Sequence, residues 1–297
     1  MARVAVVGSY GVGLTVELER MPEAGETVVG RSFRTDHGGK GSNQAIGATR
    51  LGAEVDFLTA IGDDRFGQDA VALWRAEGVR AAPVLAAAAT MTAPILVEPS
   101  GENRIVIVPG ALAELTPAHV DAFADRIAAA DVCVVQLEIP VETALHALGV
   151  ARRAGVRTIL NPAPAPPSPI APEVDYVTPN ETEVAAVRDA RATLVLTLGD
   201  EGAEVDGTRV PAFPASVVDT TGAGDAFTAA FAVALAEGAA DLEAVRWGCA
   251  AGAHMVEHAG VVPGLPTRAE LDKRLGGRLD GARQSAEAPA RPAPEQH

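Results

Sequence analysis

Residues 219–237 read DTTGAGDAFTAAFAVALAE. A glycine-rich turn runs straight into a segment, 226–237, that is apolar nearly all round and stops at Gly238. A helix of that kind belongs in an interior. The turn before it leaves several backbone N–H groups unpaired at the positive end of the helix macrodipole, which makes an anion site. Glycine supplies the backbone angles the turn needs and lets a ligand come close. Asp225 then stands in the first helical turn, either as an acid complementing the dipole or as a group acting beside a bound phosphate.

An interior helix needs a layer to lie on. Short apolar runs at 4–7, 55–60, 132–137, 158–160, 176–178 and 194–198 have the character of buried parallel strands. Between most of them lie helical patterns, at 43–51, 66–77 and 141–154, each closed by a glycine. This alternation predicts an α/β fold, a mostly parallel, doubly wound sheet covered on both faces. Two stretches break the rhythm. Residues 26–35 have β character, and 93–108 form a hairpin pattern, APILVE and RIVIVP around PSGEN. Together they predict a small β lid over the sheet's C-terminal edge, inserted as segments 9–37 and 92–108. The proline-dense NPAPAPPSP at 161–169 is a stiff, extended connection. After Leu275 the composition turns to Gly, Ala, Pro and charge, which predicts one domain over 1–275 and a disordered tail over 276–297.

The chain has 297 residues, 24 basic and 39 acidic, for a formal net charge of −15. That balance speaks against nucleic acid and anionic membranes as partners. It leaves a phosphorylated ligand open, because backbone N–H groups and a divalent cation can supply local positive charge. Only Cys133 and Cys249 occur, so neither a disulfide framework nor a zinc cluster is available, as expected of a cytoplasmic protein. No apolar run approaches the roughly 20 residues that span a bilayer.

A second glycine-rich element, GGKGSNQA at 38–45, brackets Lys40 with Gly39 and Gly41. It lacks Walker A spacing. Ser42 or Asn43 is the expected cap of the helix that follows. Glu138, in QLEIP at 136–140, ends a buried strand, where a carboxylate can accept from substrate hydroxyls. Asn180 and Glu183, in PNETE at 179–183, match a capping box and could equally face phosphates. His37 lies beside the glycine loop, where a lone histidine is usually packing or surface. The glycines of GSYGVG do not give the dinucleotide fingerprint.

With GGKGSNQA, QLE, NPAPA, TPNETE and DTTGAGDAF in that order, the chain resembles the ribokinase family of carbohydrate kinases, the PfkB type, from about residue 3 to 266. GGKGSNQA, QLE and NPAPA lie nearest the member for which the family is named. The resemblance implies a three-layer αβα sandwich with a β lid, and transfer of the ATP γ-phosphoryl group to a primary hydroxyl of a sugar. It implies that Asp225 is the general base and that Gly222, Ala223 and Gly224 form the anion hole. Gly39, Lys40, Asn43 and Glu138 would contact the sugar; Asn180, Glu183, Thr197 and Gly199 would lie on the ATP and Mg2+ side. It further implies a monovalent cation, K+, held by Asp219 and the Thr221 carbonyl on one side and carbonyls near Met255 and Gly260 on the other, and a homodimer formed through the lid.

Three features depart from the family pattern. Where it runs Gly-Ser-x-Asn-x-Asp, with Asn and Asp on sugar hydroxyls, this chain has Gly11 and Gly13. Those glycines imply an acceptor lacking these hydroxyls, or a bulkier one that uses the space, such as a nucleoside or modified sugar. Only ten residues separate Glu183 from Leu194, which shortens the nucleotide-side wall. Gly264 stands where a cation-site serine is expected. A sugar-binding protein without catalysis is the reading from another class. The intact Asp225 and its anion hole argue against it.

Overall fold

The computed structural model describes residues 1–284. Strands β1 (Arg3–Val7), β4 (Glu54–Gly62), β5 (Arg80–Ala86), β8 (Val132–Gln136), β9 (Arg157–Asn161), β10 (Glu173–Val177), β11 (Arg191–Thr197), β12 (Ala203–Val205) and β13 (Thr208–Val210) make one sheet. Its order is β13-β12-β11-β10-β9-β8-β1-β4-β5. Every pairing from β5 to β11 is parallel, and β12 and β13 add an antiparallel edge. A second sheet, ordered β3-β2-β6-β7, contains β2 (Gly11–Leu18), β3 (Gly30–Gly38), β6 (Thr92–Val97) and β7 (Asn103–Ile105). This is the expected lid.

The helices are α1 (Lys40–Arg50), α2 (Arg65–Glu77), α3 (Pro117–Ala122), α4 (Ala124–Ala128), α5 (Val141–Arg153), α6 (Ala223–Ala236), α7 (Asp241–Met255), α8 (Val261–Gly264) and α9 (Arg268–Gln284). They form two layers because each strand presents alternate residues to opposite faces. Val4 and Val6 pack into a core with Ile46 of α1, Trp74 of α2, Phe231 of α6 and Val245 of α7. Ala5 and Val7 face the other core, with Leu148 of α5, Val120 of α3 and Ile127 of α4. Burial on both faces is why these strands read as unbroken apolar runs. Phe231 is fully buried, and a side chain of its size contributes about 1.5–3 kcal/mol. Residues 226–235 are all buried, as the composition of the segment requires, and it is exposed only at Glu237. No helix among the described residues is long and apolar enough to cross a membrane.

Two boundaries differ from expectation. Helix α9 passes residue 275 and ends at Gln284, with Leu271 and Leu275 buried on its inner side. The remaining tail, 285–297, lies outside the described residues. The shortened 184–193 segment holds a single 3-10 turn, Val184–Ala186, before β11 begins.

The topology also places the site. From β1 the chain winds outward through β4 and β5, then returns to β8 on the other flank of β1 and winds the opposite way. Ligands bind beyond the carboxyl ends of the strands at such a reversal. Ser9 follows β1 there, and Glu138 follows β8.

Candidate active site

Helix α1 begins at Lys40, so Ser42 and Asn43, the expected caps, lie inside it. The cap is Gly39, whose φ of 89° and ψ of 122° suit glycine alone and which offers no side chain. A carboxylate from another element takes over the capping role. Glu138 Oε2 accepts from the Lys40 backbone N–H at 2.9 Å and from the Ser9 hydroxyl. Ser9 in turn binds the helix: its Oγ accepts from Gly41 N and its carbonyl from Ser42 N. Glu138 thus complements the positive end of α1 while facing the crevice. Ser42 Oγ accepts from Trp74 Nε1, which fastens α1 to α2.

Helix α6 begins one residue after Gly222, which has a left-handed φ of 83°. A Cβ on Gly222 would come 2.7 Å from a Val261 methyl. One on Gly224 would meet nothing within 4 Å, so the turn faces open space there, while Ala223 N closes it by donating to the Thr220 carbonyl at 3.3 Å. Asp225, in the first turn, is 6% exposed. Its Oδ2 accepts from Asn43 Nδ2 at 2.8 Å and its Oδ1 from Gln44 Nε2 at 2.9 Å. These bonds tie the two glycine motifs together across the core. Burial pushes the Asp225 carboxyl up and Glu138 adds to that, while Lys40, Asn43 and Gln44 favour the charged form; the net shift is upward. Burial disfavours the Lys40 cation too, but Asp225, Glu138 and Glu183 together hold its pKa above the usual lysine value. Lys40 therefore lies in the field of carboxylates from the segment after β8, from α6 and from the segment after β10.

On that last flank, Asn180 Oδ1 accepts from the N–H groups of Thr182 and Glu183, and Glu183 returns a bond from Asn180 N at 3.0 Å. This is the capping-box arrangement. Thr197 bridges to Asn180 across the strand ends, and Gly199 follows with φ 57° and nothing within 4 Å of a Cβ. The four residues line one open edge beyond β10 and β11.

Asp219 Oδ1 accepts from Thr221 N at 2.9 Å, and its Oδ2 lies 3.5 Å from Gly260 N. Burial opposes its charge, yet hydrogen bonds from Thr221 and Gly260 leave its carboxyl below the ordinary range. Val218 N and Asp219 N both donate to Val256 O, so the 218–221 and 255–260 segments do meet. A Cβ at Gly264 would lie 2.6 Å from Met255 Cε, so a serine there needs Met255 to move. Among the described residues, no cluster of three or more His, Cys, Asp or Glu could hold a metal.

The space expected beside Gly11 is filled. A Cβ there would lie 2.4 Å from Met91 Cε, and Met91 is buried. At Gly13 the nearest atom is Ile95 Cδ1, at 3.6 Å. At Gly11 the lid presents the Met91 side chain, because a methionine is long enough to lie over a residue without a side chain, whereas Gly13 also has the Asp36 carbonyl at 3.8 Å and Asp36 Cβ at 4.0 Å. His37, on lid strand β3, bonds Tyr10 Oη at 2.7 Å and is a packing residue.

A doubly wound sheet, a lid over its switch point and a buried aspartate under a glycine turn define a carbohydrate kinase of the pfkB class. Residues 1–268 match the pfkB family carbohydrate kinase, and the chain belongs to that family. It is 38% identical to the ribokinase of Bacillus subtilis strain 168, over 93% of this chain and 100% of that protein. It is 35% identical to the deoxyribokinase of Salmonella typhi, over 77% of this chain and 84% of the relative. The structure of Arabidopsis thaliana ribokinase complexed with ribose and ATP superposes with a TM-score of 0.84 at 29% identity, covering 93% of this chain and 99% of that one.

Proposed function

We propose that the protein is an ATP-dependent kinase that transfers the γ-phosphoryl group to a primary hydroxyl of a small sugar, with Asp225 as the general base. The carrying observation is the pair of bonds that joins Asp225 to Asn43 and Gln44. They hold a buried carboxylate at the glycine turn that opens α6, with Lys40 within its field. On this reading Gly222, Ala223 and Gly224 stabilise charge on the transferring group, and catalysis is mainly positioning. Asp225 takes the hydroxyl proton. Gly39, Lys40, Asn43 and Glu138 orient the acceptor, and Asn180, Glu183, Thr197 and Gly199 the nucleotide. Mg2+ would arrive with the phosphates, facing Glu183, and supply charge neutralisation there. The Asp219, Thr221, Met255 and Gly260 region has one ionised carboxylate and two converging backbone segments, which suits a monovalent cation such as K+ better than a divalent one. A cytoplasmic location follows from the ATP it would consume.

The Met91 side chain over Gly11 supports a small acceptor. A nucleoside base placed there would have to displace the Met91 methyl, which favours a small sugar. A sugar hydroxyl turned toward Met91 and Ile95 would forgo a charge-assisted bond worth about 1.5–3 kcal/mol. We expect 2-deoxyribose to be used at least as well as ribose. The test is ADP release from ATP and Mg2+, with and without K+, across pentoses, hexoses, deoxyribose and nucleosides. A nucleoside as the best acceptor would refute the small-sugar assignment. Glu138→Ala should raise acceptor KM several-fold and leave ATP KM nearly unchanged; an unchanged acceptor KM would remove Glu138 from the acceptor site.

The lid also supports a homodimer. Phe33, Ile105, Val106, Ile107 and Val108 are each about half exposed or more on the lid and the segment after it. Phe33 lies on β3 and Ile105 on β7, the two edges of the lid sheet, and exposed apolar residues at sheet edges favour pairing with a second copy. Sedimentation should give twice the chain mass, and Phe33→Glu with Ile107→Glu should halve it. A monomeric wild-type protein at micromolar concentration would overturn this.

A further inference from the structure

Gln136 and Asn161, from the QLE and NPAPA motifs, have no place in the chemistry described so far, and Gln44 touches it only through Asp225. All three are buried, and they form one chain. Gln136 Nε2 donates to Gln44 Oε1. Gln44 Nε2 divides its two hydrogens between Asp225 Oδ1, at 2.9 Å, and Asn161 Oδ1, at 3.2 Å. Asn161 Nδ2 donates to the Thr178 carbonyl at 3.0 Å. Only one set of amide orientations satisfies these contacts. A reversed Gln44 would set its oxygen against two acceptors and its NH2 against the NH2 of Gln136. The chain runs from β10 through β9 and α1 to α6, with a branch to β8, where Gln136 Oε1 lies against Gly8. A Cβ on Gly8 would come 1.8 Å from that oxygen, so Gly8 is the residue that leaves room for Gln136.

We propose that Gln44, clamped by Gln136 and Asn161, is a positioning residue that fixes Asp225 Oδ1 and so sets the direction in which the carboxylate accepts a proton. Asn43 alone leaves the carboxylate free to swing about its bond to Oδ2. The second donor removes that freedom and favours the charged form. The charged groups facing Asp225 are Lys40, from α1, which favours ionisation, and Glu138, after β8, which opposes it. Neither is altered by a change at Gln44.

The inference rests on Asp225 as base, and the test separates the two. Gln44→Met keeps the length and removes the donor. In the ligand-free variant, the Asp225 carboxyl carbon, assigned in NMR spectra by its absence from Asp225→Asn, should titrate about one pH unit higher than in the wild type. With the best acceptor of the panel, kcat should fall about tenfold or more, both KM values should stay within about twofold, and the acid limb of kcat should shift the same way. Gln136→Met leaves both partners of Asp225 in place and should give smaller shifts of the same sign; it carries the test if Gln44→Met does not fold. An unmoved titration in a folded variant overturns the clamp. An active Asp225→Asn protein alongside a moved titration would instead overturn the base assignment and leave the clamp standing.

Discussion

Asp225→Asn should lower kcat by about 10²–10⁴-fold, the contribution of one positioned base, while the fold persists. The carboxamide has the same size but cannot take up the hydroxyl proton. It also has only one oxygen to offer, whereas Asn43 Nδ2 and Gln44 Nε2 both donate to this site. One of those donors would face an NH2 group, at a cost of about 1–3 kcal/mol in a buried position. The measurement is ADP release under saturating ATP and acceptor, with circular dichroism to show that the variant is folded. On the proposed mechanism, positioning by the 222–224 turn and by Mg2+ arriving with ATP would survive, so some turnover above background should remain. Near-wild-type kcat would remove Asp225 from the chemistry.

The second large effect is structural and begins at Gly39. Its backbone angles are open to glycine, and a Cβ there would lie 2.5 Å from Tyr10 Cα and 2.9 Å from the Ser9 carbonyl. Those atoms are main chain and cannot rotate away. Gly39→Ala must therefore push the start of α1 off the end of β1, which strains the Lys40–Glu138 and Gly41–Ser9 bonds together. Backbone strain alone accounts for about 1–3 kcal/mol. At about 2–4 °C per kcal/mol for a chain of this size, that term gives a Tm drop of several degrees, and the displaced backbone adds to it. Gly52→Ala is the control. Gly52 has a φ of 96° but nothing within 4 Å of its Cβ, so it carries the strain without the collision. Equal Tm values for the two variants would show that the close approach at Gly39 is unimportant. The expected result is a larger loss at Gly39, with a steep fall in turnover that Gly52→Ala does not share.

Much of this was legible in the chain itself. The buried strands announced themselves because both of their faces meet a core, so their apolar runs are unbroken. The lid hairpin announced itself through alternating residues around PSGEN, and the helix ends through their glycines. Helix α7 and the edge strands β12 and β13 carried no comparable signal, since α7 is rich in small residues and the two strands are short. The start of α1 was misplaced for a physical reason. Its cap is a carboxylate from the segment after β8, 98 residues away from Lys40, and no local pattern records a cap supplied across the sheet. Ser9, Gln44, Gln136 and Asn161 escaped for the same reason. A polar side chain at the end of an apolar run, as in VCVVQ, was the one visible hint that a buried partner waited for it. The filled space at Gly11 was equally hidden, because Met91 comes from a different part of the chain.

The bond between Asn43 and Asp225 spans 182 positions. The residues proposed for the acceptor are complete once the chain has passed Glu138, yet the proposed base and anion turn arrive only with α6. A polypeptide released from synthesis before residue 225 would carry a crevice and no means of acting on its contents. ATP consumption by this protein is accordingly a report that its two halves have met, since contacts of such long range form late. Cutting the chain in the proline-dense connection after β9 should separate it into two silent pieces, and renewed turnover on mixing them would be a direct readout of docking between α1 and α6.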